Sequence, residues 1–293
     1  MKLVDVGISL VVMMLWGLNF VAGKWALAQI PPIFLMALRF TVVAAVLVPF
    51  VRFPREKLKG IALLSTTLGC LHFSLMFSGL NGVDAAVAAI AIQTQVPFAA
   101  LLAAVLYKDR LGWRRLLGMV LAFAGVAILA GEPRSTIDLV PLLLVIAASF
   151  VWSIANIQIK ELGAVDGFSL SAYMGLLAVP QLLLVSYFLE SGQLAAIANA
   201  DFRSWASIFY MAVMVTIMTY GLWYRILRRY SVNQAMPYTL LVPVFGVIFS
   251  VLLLGEPMGW RMVVGGVATI AGVGIIVLRR PRLAEPEATS KTV

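Results

Sequence analysis

The chain has 293 residues, of which 62% are hydrophobic and 12% charged, with a formal net charge of +9 and a mean hydropathy of +1.00. Soluble domains carry about 25% charged residues, so this composition excludes a soluble globular protein. A single cysteine, Cys70, rules out an intrachain disulfide, and the lack of zinc-type histidine spacing, of a phosphate-binding glycine loop and of a carboxylate well inside any apolar segment argues against a primary pump or a hydrolytic enzyme. No cofactor and no metal are expected.

A helix needs roughly 20 apolar residues to cross a hydrocarbon layer of about 30 Å. Blocks of that kind run 4–28, 32–52, 59–81, 84–107, 112–130, 138–160, 167–190, 203–227, 232–254 and 259–278. The first block imitates a signal peptide, with Ala26-Leu27-Ala28 in the place of a cleavage site. It is longer than the roughly 7–15 residues of a signal core and contains Trp16 and Asn19, so a retained first helix is expected. Turn and charge signals separate the blocks: Pro31-Pro32, Pro54-Arg55-Glu56-Lys57, Lys108-Asp109-Arg110, Glu132-Pro133-Arg134 and Gly255-Glu256-Pro257. After Leu278 comes Arg279-Arg280-Pro281-Arg282, and residues 281–293 read as a disordered cytoplasmic tail.

Placing the N-terminus in the cytoplasm puts 17 of the 22 lysines and arginines on that side and 4 outside, with Arg39 left within the second segment. The positive-inside rule is met. Expected, then, is a multi-pass protein of the bacterial cytoplasmic (inner) membrane with both termini cytoplasmic. The basic excess sets its topology in the lipid bilayer, and no nucleic acid partner is needed.

The run Trp113-Arg114-Arg115-Leu116-Leu117-Gly118, followed by Gly125-Val126, recurs as Trp260-Arg261-Met262-Val263-Val264-Gly265, followed by Gly272-Val273. Val96-Pro97-Phe98 is echoed by Val242-Pro243-Val244, and Trp16 with Lys24 by Trp152 with Lys160. Five segments per half is an odd number, so the second half enters the membrane from the opposite side. The predicted fold is an all-α integral membrane protein whose ten transmembrane helices form two inverted five-helix repeats, 1–135 and 136–280, around a central cavity. Gly118 with Ala122, Gly265 with Thr269 and Ala268 with Gly272 are spaced for close helix contact, in internal packing or in dimerisation. The oligomeric state is left at monomer or homodimer.

Candidate site residues are polar or aromatic groups deep within the segments. Trp16 and Trp152 lie near the middles of the first and sixth, whereas Trp25, Trp113, Trp205, Trp223 and Trp260 fall near segment ends, as interfacial tryptophans do. Asn19 shares a helix face with Trp16, and Ser149 and Asn156 flank Trp152, as structural hydrogen-bonding groups or as cavity lining. His72 in the third segment is an intramembrane ionisable group and so a functional candidate. Gln93 and Gln95 are about 200° apart on a helix, so one of the two faces a cavity. Thr216, Thr219, Tyr220 and Trp223 form a stripe on the eighth segment, and Gln234, Tyr238 and Leu241 another on the ninth. Pro97 and Pro243 break helices at matching places. Arg39 is expected to snorkel outward or to pair with a helix end, in a structural role.

Trp16-Gly17-Leu18-Asn19-Phe20 with Lys24, Arg39 after the Pro31-Pro32 turn, Pro97, and Leu254-Gly255-Glu256-Pro257 with the glycine-rich last helix resemble the EamA-type drug/metabolite transporter superfamily, over residues 1 to about 280. Within it the chain is similar to bacterial exporters of aromatic and other neutral amino acids. The resemblance implies a central cavity lined by the first, third, fourth, sixth, eighth and ninth helices, drawing here on Trp16, His72, Gln93 or Gln95, Trp152 and Tyr220. Tyr107-Lys108-Asp109-Arg110 departs from it, since the family often has glutamate there. The expected function is export of small neutral solutes, amino acids including aromatic ones, by alternating access; the alternatives are another metabolite, a drug-like cation, or a non-transporting scaffold subunit. Facilitated diffusion and proton exchange through His72 both stay open.

Overall fold

The computed structural model describes residues 1–106, 112–130, 139–163, 165–230 and 232–278, and every regular element among them is helical. Among the described residues ten helices are long and apolar enough to cross a membrane: Leu3–Leu27, Pro32–Phe50, Arg55–Gly82, Ala85–Leu106, Trp113–Ala130, Leu139–Leu162, Gly167–Leu189, Phe202–Leu227, Gln234–Leu254 and Trp260–Val277. These first to tenth spans lie within four residues of the blocks read from the sequence. Lys108-Asp109-Arg110, Glu132-Pro133-Arg134 and the tail 281–293 lie outside the described residues.

Recognisable chemistry sets the span ends. Pro32 opens the second span, where its missing N–H costs nothing. The next free amides, of Ile33 and Phe34, donate to the two carboxylate oxygens of Glu190 at 2.7 and 3.0 Å. The fourth span repeats the device, with the amides of Ala85 and Ala86 donating to Glu256 at 2.7 and 3.0 Å. Each carboxylate satisfies two of the four amides that a helix start leaves unpaired, and its charge suits the positive end of the helix dipole. Gly255 takes φ +67°, a left-handed turn that ends the ninth span. The Leu254-Gly255-Glu256-Pro257 run is therefore a helix stop followed by a cap for a different helix. Asp166 and Asp201 cap their own spans, accepting from the amides of Ser169 at 2.9 Å and Ser204 at 2.8 Å. A short helix, Gln193–Asn199, sits between the seventh and eighth spans.

The Tyr230 hydroxyl, just past the eighth span, donates to Asp5 in the first at 2.8 Å, and Gly274 of the tenth faces Leu240 of the ninth. The beginning of the first span and the end of the tenth thus share one end of the bundle. The fifth and tenth spans meet backbone to backbone. A methyl placed on Gly118 would lie 2.7 Å from the Gly272 carbonyl oxygen, and one on Gly272 would lie 2.5 Å from that of Gly118; Gly125 and Gly265 repeat the contact at 2.5 and 2.6 Å. Such reciprocity is the mark of an isologous contact. The spaced glycines serve packing within the chain. One apolar core runs through the first to eighth spans, and a smaller cluster, Val12, Met13, Trp223, Ile226 and Ala235, joins the first, eighth and ninth.

Candidate functional site

Four spans depart from regular α-helix partway along. The third widens into π-helical turns over Ser65–His72 and the eighth over Tyr210–Met218, a feature that often marks functional sites. The fourth tightens over Ile92–Thr94 just before Pro97, and the ninth breaks at Leu240 just before Pro243. Neither proline, both buried, can donate to the carbonyl four residues back, that of Gln93 or of Thr239. The sixth span supports the irregular stretch of the fourth: Ser149 and Ser153 donate to the carbonyls of Ile92 at 3.3 Å and Gln95 at 2.9 Å.

Two aromatic sets lie against the widened turns. The Trp16 indole donates to the Thr219 hydroxyl at 2.8 Å, its ring edge-on to Trp223 at 5.7 Å and 6.1 Å from Tyr220. Close by, the Tyr210 hydroxyl donates to the Leu15 carbonyl at 2.8 Å. In the other set His72 Nδ1 lies 2.9 Å from the Ala148 carbonyl, which makes it the nitrogen that carries the proton of a neutral ring. That ring is 5.2 Å from Trp152 and 4.9 Å from Phe73. The tryptophan of the first span is thus laid on the eighth, and that of the sixth on the third.

The remaining candidates divide. Asn19 is half-buried with its Oδ1 buried and lacking a hydrogen-bond partner. Gln93 is buried, whereas Gln95 is partly exposed. Tyr238 packs on the cluster that includes Trp16 and Trp223. Asn156 is exposed and donates to the Trp152 carbonyl of its own helix at 3.0 Å, so it does not join the packed groups. The eighth-span stripe faces inward: Thr216, Thr219 and Trp223 are buried, Trp223 inside the small cluster rather than at an interface. Two further polar contacts carry no signal in the sequence, the amides of Gln158 and Gln181 donating to the hydroxyls of Thr67 at 3.0 Å and Ser65 at 2.8 Å.

Arg39 overturns the expectation made for it. The side chain is 4% exposed and neither snorkels nor reaches a helix end. Its Nη2 donates to the Thr216 hydroxyl at 2.9 Å, and the guanidinium carbon lies 5.3 Å from the centre of the Phe73 ring. Nε and Nη1 are buried with no hydrogen-bond partner. Leu35, Met36 and Val43, one turn away on the same helix face, are fully buried, so that face is core and not lipid surface.

The sequence profile of the EamA-like transporter family matches this chain twice, over residues 6–131 and 139–278. A protein of Salmonella typhimurium named "Probable amino-acid metabolite efflux pump" is 32% identical over 279 residues, covering 92% of this chain and 93% of that one. An Escherichia coli protein of the same name is 30% identical over 279 residues, with the same shares covered. One solved crystal structure superposes with a TM-score of 0.63 at 18% identity, covering 95% of this chain and 98% of that chain, a likeness of fold alone. Ten apolar spans and this kinship describe a membrane transporter and not an enzyme: the chain belongs to the EamA-like transporter family.

Proposed function

We propose that the chain exports small neutral solutes, amino acids including aromatic ones, from the cytoplasm by alternating access, its two halves rocking about a site midway through the membrane. The observation that carries this reading is the matched pair of aromatic contacts, Trp16 against Thr219, Tyr220 and Trp223 in the helix that follows the widened turn of the eighth span, and Trp152 beside His72 at the end of that of the third. Aromatic walls suit apolar side chains, and a few polar groups among them fix orientation. The double family match, five spans in each half and the reciprocal glycine contacts support an inverted relation between residues 1–135 and 136–280. The names of the two enterobacterial relatives support amino-acid-like substrates. The basic excess, 17 of 22 lysines and arginines, supports cytoplasmic termini in an inner membrane. A guanidinium buried among the spans disfavours a drug-like cation as the solute.

Purified protein in liposomes tests this. Vesicles loaded with amino acids are expected to lose them faster than protein-free vesicles, and Trp16→Ala to slow the loss several-fold at unchanged expression. Retention of every amino acid overturns the reading. Running the same vesicles with and without a pH gradient separates facilitated diffusion from proton exchange, for which His72 is the candidate carrier.

A further inference from the structure

The Arg39 guanidinium sits where the first, second, third and eighth spans meet. Thr216 accepts from Nη2 at 2.9 Å and passes its own proton to the Met211 carbonyl at 3.0 Å, so its oxygen is committed as an acceptor. Phe73 of the third span covers the guanidinium at 5.3 Å. On the adjoining stretch of the eighth span, Thr219 holds the Trp16 indole, and Tyr210 holds the Leu15 carbonyl. Among the described residues no carboxylate lies within ion-pair distance of Arg39, and Nε and Nη1 have no hydrogen-bond partner. A charged group buried in a membrane bundle without a counter-charge is costly and marks a functional site by default.

We propose that Arg39 is the anchor for the carboxylate of the transported solute, which restricts substrates to carboxylate-bearing molecules; the inference rests on the export reading above. Nη2 carries two protons and Thr216 takes one. The other, together with the N–H beside it, presents two parallel donors, the fork that pairs with a carboxylate in two hydrogen bonds. A monoanion neutralises the single charge of Arg39. A phosphate dianion would leave an excess negative charge among apolar neighbours such as Leu35, Met36 and Phe73. The group is sealed at 4% exposure, so a carboxylate reaches it when the second or third span moves away from the eighth. That is the motion alternating access requires. An amino acid seated there has its side chain toward the aromatic groups around Trp16, one helical turn along the eighth span from Thr216.

Liposomes with purified full-length protein decide it, using the twenty amino acids and, for each one transported, the matching amino alcohol, which keeps the side chain and ammonium but lacks the carboxylate. In the unaltered protein the alcohol is expected to compete at least roughly tenfold more weakly than the acid, the loss of one charge-assisted pair. In Arg39→Gln that preference is expected to fall to about twofold or less, with apparent KM for the acid raised, at an unfolding temperature near that of the parent. If Arg39→Gln does not fold, Arg39→Lys serves, since it keeps the charge and loses the fork; a reduced but surviving preference is then expected. Transport of amino acids with the acid-over-alcohol preference unchanged in the folded variant overturns the assignment of Arg39 and leaves the export reading standing. Failure of the unaltered protein to move any amino acid overturns the export reading, and the assignment with it.

Discussion

Gly118 and Gly125 of the fifth span meet Gly272 and Gly265 of the tenth in contacts that mirror one another, whereas Arg39 of the second span has no charged counterpart anywhere between Gly167 and Leu189 of the seventh. Packing devices are duplicated across the chain: glycine-lined crossings, widened turns in the third and eighth spans, and prolines in the fourth and ninth. Arg39 and His72 occur once each, both in the first half. A doubled scaffold suits the rocking motion proposed above, because both end states would then rest on equivalent contacts. A solute has no two-fold symmetry, so the groups proposed to orient it need appear on one side alone.

The sharpest way to break this comparison is at the glycines. Gly125→Leu would drive a side chain into the Gly265 carbonyl, and Gly272→Leu into that of Gly118. Overpacking of this sort costs about 1–3 kcal/mol or more; backbone on the far side cannot give way, so loss of monodisperse protein in detergent is expected for both. A marked difference between the two variants would show that the crossing is not truly reciprocal.

Next in size are the inter-span caps. Glu256→Ala and Glu190→Ala each leave two amides of another span without a partner, at about 1–3 kcal/mol for each buried group. Thermal unfolding in detergent should show Glu256→Ala falling further, because Glu256 is the more buried of the two, with Glu256→Gln between it and the parent. Equal unfolding temperatures for Glu256→Ala and the parent would mean that water replaces the cap.

The two tryptophans separate the halves more finely. Trp16→Phe loses the hydrogen bond to Thr219, while Trp152→Phe keeps an aromatic ring beside His72. Efflux from liposomes should slow several-fold in the first and less in the second. The reverse order would move the solute toward the sixth span.

The smallest effect is expected at Asp201, on the surface at the start of the eighth span. Hydrogen bonds from the Ser204 backbone and side chain hold its carboxyl below the ordinary range. The stabilisation is therefore complete above the unfolded-state pKa and is lost as pH falls through the lower folded value. Asp201→Asn should remove that part of the acid sensitivity of thermal unfolding and leave transport unchanged.

Much of this protein is legible in one dimension. The span count and boundaries follow from blocks of apolar residues, because a bilayer imposes one length on every helix. Trp16, Trp152 and His72 stand out because polar or aromatic-polar groups are rare at that depth; Trp16 lies against the eighth span just past its widened turn, and Trp152 against His72 at the end of the third span's. Glu256 is visible as part of a motif, but its service to the fourth span is not, since nothing along the chain says that residues 85 and 256 meet.

Arg39 is the instructive case. In a soluble protein the apolar face of a helix is the buried one, and a charge beside it announces an edge. In a membrane the lipid-facing surface is as apolar as the core, so Leu35, Met36 and Val43 do not tell which way Arg39 points. Sequence alone determined that the chain crosses a bilayer, how often, and which unusual side chains it carries there. Tertiary structure decided which of those side chains face one another, because helix rotation in lipid is set by contacts between spans and not by contrast with water.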